Sequence, residues 1–190
     1  FRRVLFRSGG ALALCWAQLL ADRQFAAPQC EIVGSIVRRV ELLEASGLAA
    51  SRQSTERLWS LNDSGTPTLF MLDTKGAVTG RVQLSDAAAD DWEALAIAGC
   101  PDGSCVYVGD IGDNRAARRH IVVYRFNETV AAGSSVRPEM FLARYPDGPH
   151  DAETLLALPD GALYIVTKGS TGPIALYRFP HPLRAGQTIE

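Results

Sequence analysis

The sequence predicts an all-β chain built from repeated antiparallel units, on three observations. An acidic residue opens a short apolar strand three times: Glu44-Ala45-Ser46-Gly47-Leu48, Asp91-Trp92-Glu93-Ala94-Leu95 and Asp151-Ala152-Glu153-Thr154-Leu155. A second strand follows each and runs into a polar, Gly-containing turn, at 58–65, 106–114 and 163–169. A third strand closes each unit, at 68–73, 121–126 and 175–179. Matching Glu44, Glu93 and Glu153 puts the units roughly 50 to 60 residues apart, and units of several strands repeating near this period are the signature of β-propeller blades. The expected architecture is therefore a β-propeller, of which this chain carries about three four-stranded blades; three alone cannot close around a channel, since propellers take about four to eight.

The elements follow in order. Residues 1–8 (FRRVLFRS) share no period with the rest of the chain and match the translation of a sequencing adapter, so they are set apart as non-native; the alternative is the basic start of a signal peptide. Residues 9–30 read as a signal-peptide-like leader around the apolar run 11–21, with a short packed helix as the alternative. That run is shorter than the roughly 20 residues a membrane span needs. The domain proper is 31–190, with 31–38 as an outer strand of a neighbouring blade. In the first full unit the outer strand is 80–84. In the middle unit the four strands are 93–98, 104–110, 120–127 and 139–145. The last unit has three strands, and 187–190 begins its fourth. Alternation supports these strands where it can be tested: Leu58, Ser60 and Asn62 face one way, Trp59 and Leu61 the other. Trp59 and Trp92 are assigned to packing. Turns are marked by Asp73-Thr74-Lys75-Gly76, Pro101-Asp102-Gly103, Pro146-Asp147-Gly148 and Pro159-Asp160-Gly161.

Composition narrows the function classes. A formal net charge of −2 gives no basic balance for nucleic acid, and 47% hydrophobic residues is an ordinary globular content. Of four cysteines, Cys100 and Cys105 flank a tight turn and are expected to form a disulfide in an oxidising compartment. A single C-x4-C pair with no second pair or His cluster argues against zinc. Cys15 and Cys30 are left without an assigned partner. Export to the periplasm or outside the cell is the expected location.

Acids repeated at the start of innermost strands converge on a propeller's axis. Glu44, Glu93 and Glu153, with Asp110, Asp113 and Asn114 from the second-strand ends, form a candidate ligand set for calcium, which takes 6–8 oxygens in flexible geometry. The competing reading is that such acids bond the backbone amides of the adjacent turn and hold one blade to the next, with the position of Asp91 and Asp151 the strongest case. Glu93, Asp110 and His150 are candidates for acid–base roles. Arg115, Arg118, Arg119 and Lys168 are candidates for holding an anionic substrate, the alternative being a solvated basic loop that offsets acidic neighbours. No G-x-S-x-G, P-loop or H-E-x-x-H motif occurs.

The segment DWEALA, followed by YVGDIGDN and an aromatic-Arg-Phe strand, resembles a group of secreted bacterial β-propeller proteins, similar in turn to phytase-like and SMP-30/NHL-type six-bladed propellers. The likeness covers about residues 44–179, and Glu93, Asp110, Asp113 and Asn114 match it by position. It implies five or six blades, an axial calcium and export. Because such relatives include hydrolases, lactonases and binding modules, it implies chemistry weakly. Thr167-Lys168 departs from the acidic pattern of the second-strand ends. The expected function is a binding scaffold for a small-molecule or protein ligand, with a calcium-dependent hydrolase of phosphoesters or lactones as the alternative.

Overall fold

The structure is a computed structural model that describes residues 42–169 and 172–189. The segment 1–8, the leader 9–30, the strand at 31–38, Cys15 and Cys30 lie outside the described residues. The regular elements are all strands: β1 (Ala45–Ala50), β2 (Arg57–Asn62), β3 (Thr68–Asp73), β4 (Val78–Leu84), β5 (Trp92–Cys100), β6 (Gly103–Asp110), β7 (Ile121–Asn127), β8 (Ser135–Val136), β9 (Glu139–Ala143), β10 (Ala152–Ala157), β11 (Leu163–Thr167) and β12 (Leu176–Arg178). The all-β prediction holds, with most strand limits within a few residues of the expected ones. No helix among the described residues is long and apolar enough to cross a membrane.

The strands form three sheets, ordered β1-β2-β3-β4-β8, β5-β6-β7-β9 and β10-β11-β12. Neighbouring strands pair antiparallel throughout, except β4 with β8, which pair in parallel. The β5–β9 sheet is the middle layer, and period-2 alternation explains how it serves two neighbours. Val106, Val108, Tyr124 and Phe126 face the first sheet and pack with Trp59, Leu61, Leu69, Met71, Val82 and Leu84. Cys105, Tyr107, Val123 and Phe141 face the third sheet, against Leu155, Leu163, Ile165 and Phe179. Strands buried on both faces read as continuous apolar runs, as 121–126 does. A fully buried side chain such as Phe141 contributes about 1.5–3 kcal/mol. Trp59 and Trp92 are both fully buried in the first interface, in the packing role expected of them.

Cys100 and Cys105 are joined by a disulfide across the β5–β6 hairpin, with their Cα atoms 5.8 Å apart. The predicted position fits because Ala98 pairs with Cys105 and Cys100 with Gly103, which sets the two cysteines diagonally across the ladder.

One expected element is corrected. Within the segment expected to begin a fourth strand of the third sheet, Ile189 joins the second sheet instead. Ile189 bridges Ala143 in parallel, donating its N–H to Leu142 O at 2.9 Å and accepting the Arg144 N–H at 2.8 Å. The outer edge of β9 carries unpaired backbone groups, and this segment satisfies them. β8 does the same at the preceding sheet, pairing in parallel with the outer edge of β4. Each outer edge is thus covered by chain from the following unit.

Candidate functional site

β1, β5 and β10 lie side by side, each the first strand of its sheet, and each begins with a β-bulge. Register shifts fall between Ala45 and Gly47, between Trp92 and Ala94, and between Ala152 and Thr154. The extra residues are Ser46, Glu93 and Glu153. A bulge re-aims the side chain it carries, and repetition of one bulge repeats one aim. This corrects the register read from the sequence: Ser46, not Glu44, is the counterpart of Glu93 and Glu153. Glu44 instead matches Asp91 and Asp151, the residues just before the paired strand starts.

The position shared by Glu44, Asp91 and Asp151 is structural in its backbone. Its carbonyl accepts an N–H from the end of the neighbouring second strand each time: Asp63 to Glu44 at 3.1 Å, Gly112 to Asp91 at 3.2 Å and Lys168 to Asp151 at 2.8 Å. Three side chains at the site also hold backbone. Asp151 Oδ1 accepts the Asp113 N–H at 2.8 Å, tying the second sheet to the third. Asp110, buried at the end of β6, accepts the N–H groups of Asp91 (3.2 Å) and Asp90 (3.3 Å) and the Arg118 guanidinium (2.7 Å). Asp113 Oδ2 accepts the Arg118 N–H at 2.7 Å. The blade-to-blade amide reading therefore describes Asp151 well. Gly112 is required here because a Cβ would lie 2.4 Å from Asp91 Cγ.

What remains around the bulges is a carboxyl cluster. Burial, then the nearby Glu153 and Asp91 charges, push the Glu93 carboxyl up to about 7, with Asp63 adding to the effect and Lys168 opposing it. Asp91 is also raised, by burial first and then by Asp151, while its hydrogen bond with Glu93 opposes the rise. A Glu93 carboxyl that holds a proton at neutral pH can donate that bond. Lys168 forms an ion pair with Glu153 and lies 3.6 Å from Asp151 Oδ2. Ser46 Oγ donates to the Trp92 carbonyl, joining the first bulge to the start of β5. Glu44 is exposed, and a hydrogen bond with Asp63 raises its carboxyl.

The six residues expected to bind calcium are not brought together as one coordination sphere. Asp110 and Asp113 are occupied by amides and Arg118, Glu153 is paired with Lys168, and Asn114 is exposed on the loop. No group of three or more His, Cys, Asp or Glu side chains among the described residues is arranged to hold a metal ion. Of the acid–base candidates, Asp110 is saturated with donors. His150 Nε2 lies 3.0 Å from Asp147 Oδ1 and 2.9 Å from the Tyr177 hydroxyl, in a network on the β9–β10 connection. Glu93 is half-buried and has a raised proton affinity, a combination that suits an acid–base role. Of the anion candidates, Arg118 and Lys168 are paired with carboxylates, while Arg115 and Arg119 are exposed.

Sequence reasoning missed the Asp147–His150–Tyr177 network, in which the tyrosine hydroxyl lies 2.8 Å from both Asp147 oxygens. Pro146-Asp147-Gly148 was legible only as a turn, and no local spacing links it to Tyr177. No protein-family model matches this chain, and no curated protein matches it.

Proposed function

We propose that this chain is part of an exported β-propeller of five or six blades that serves as a binding scaffold, with its ligand-contacting surface at the bulged starts of β1, β5 and β10. The observation that carries this reading is the bulge repeated at Ser46, Glu93 and Glu153 in three successive sheets. Three supports accompany it. Neighbouring meander sheets pack face to face through one middle layer. The outer edges of β4 and β9 are strapped in the same way by the unit that follows. Leu48 on the first sheet and Leu156 and Leu176 on the third are exposed, as positions awaiting a further sheet would be. The disulfide supports an oxidising compartment, periplasmic or extracellular.

The cluster of Asp63, Asp91, Glu93 and Glu153 favours ligands that bring positive charge. Lys168 relieves it in part, and a ligand cation near Glu93 would relieve the rest. The hydrolase alternative narrows to this cluster, with Glu93 as general acid or base: a carboxyl titrating near 7 suits proton transfer at neutral pH.

Thermal melting with calcium chloride and with spermidine, in the wild type and Glu93→Gln, tests the scaffold. A rise in Tm that the variant loses supports binding at Glu93, and an equal rise in both proteins sinks that site. Turnover of a model phosphoester or lactone by the wild type, abolished in Glu93→Gln, would favour the enzyme.

A further inference from the structure

On the same end of the middle sheet, the β6–β7 loop and the β9–β10 connection gather the opposite charge. An open cavity of about 550 Å³ lies between the β6–β7 loop and the β9–β10 connection, within the size range of small-molecule sites. Its lining includes Arg118, Arg119, His120 and Arg144, and none of its lining residues is acidic. Among the described residues, Asp110 pairs with Arg118, and Asp147 is engaged by Tyr177 and His150. Arg118 has two N–H contacts on the protein, to Asp110 and to the Gly112 carbonyl, which fix its guanidinium in place. Ile121, Ala143, Tyr145, Pro146 and Pro149 supply the apolar part of the lining.

We infer that this cavity is a binding site for a small organic oxyanion, a phosphate- or carboxylate-bearing molecule with a compact apolar body. Guanidinium forks match the paired oxygens of either group. The apolar part of the lining accommodates the body. The site shares neither Glu93 nor Glu153 with the surface proposed above, so the two proposals fail independently.

Calorimetric titration of the full chain at fixed ionic strength, with phenyl phosphate, benzoate and phenol as probes, tests the inference. Phenyl phosphate is expected to bind at least tenfold more tightly than phenol. Benzoate separates the sources: binding level with phenyl phosphate assigns carboxylates as well, and binding level with phenol restricts the site to phosphates. Arg119 is exposed, so Arg119→Gln should keep the fold, checked by circular dichroism, and lose at least fivefold in affinity for phenyl phosphate. Phenyl phosphate binding no more tightly than phenol, or binding equally to Arg119→Gln and the wild type, overturns the inference.

Discussion

The indole N–H of Trp59 donates to Glu128 Oε1 at 3.2 Å, joining the first sheet to the chain that leaves β7 in the second. Glu128 is fully buried. Its two oxygens also accept the Ser104 hydroxyl at 2.6 Å and the Arg52 N–H at 3.1 and 3.3 Å. One carboxyl group thus gathers donors from both sheets, at a place where apolar packing alone would leave Trp59 Nε1 unpaired.

Glu128→Ala should therefore destabilise the protein by about 3 kcal/mol or more, since it leaves several buried donors without acceptors at about 1–3 kcal/mol each. Glu128→Gln keeps one carbonyl oxygen and should cost less than half as much. Urea denaturation of the three proteins checks the order. Equal stability of Glu128→Ala and the wild type would mean that water reaches this junction.

The disulfide between Cys100 and Cys105 closes a short loop, and a loop of this length is expected to contribute roughly 2 kcal/mol through the unfolded chain. Cys100→Ser/Cys105→Ser should lower Tm by several degrees, and dithiothreitol should lower the wild type to match. Because β5 and β6 pair along their whole lengths, the hairpin is expected to survive the loss. Hydrogen exchange should therefore stay slow at Val106 and Val108 in the double variant.

Much of this architecture was written locally. Alternation at Leu58–Asn62 and the apolar run 121–126 announced strands, and Pro101-Asp102-Gly103 announced the hairpin that the disulfide crosses. The site was less legible, for a physical reason. A bulge adds one residue without changing composition, so a linear match set Glu44 beside Glu93 when the bulge positions make Ser46 its counterpart. Asp110 looked like a ligand because sequence shows a carboxylate and not the three donors that fold around it. Contacts between distant segments, such as Asp147 with Tyr177 or Ile189 with the β9 edge, left no periodic trace.

Asp151 joins two sheets through one oxygen and faces Lys168 with the other. Asp151→Ala removes the acceptor of the buried Asp113 N–H and should cost about 1.5–3 kcal/mol, the range for a hydrogen bond to a charged group. Asp151→Asn keeps a carbonyl oxygen that can accept the same N–H, so it should recover more than half of that loss. Equal destabilisation by both variants would place the contribution in the Lys168 ion pair instead of the amide bond.

Glu93 sets the pH dependence of the carboxyl cluster. Its ordinary value is 4.5 and its folded value is about 7, so between these limits the folded state binds more protons than the unfolded one. The stabilising effect of protonated Glu93 is complete below pH 4.5 and is lost as pH rises through 7. Glu93→Gln removes the titration, so the stability difference between variant and wild type should shift in the variant's favour from pH 5 to pH 8. Lys168 opposes the upward shift, so Lys168→Met should move the Glu93 midpoint higher still. Carbon-13 NMR titration of the glutamate side chains reads this midpoint directly. A Glu93 midpoint near 4.5 in the wild type would mean that neither burial nor the Glu153 and Asp91 charges raise it. The proton-holding carboxyl proposed for the ligand surface would then be lost.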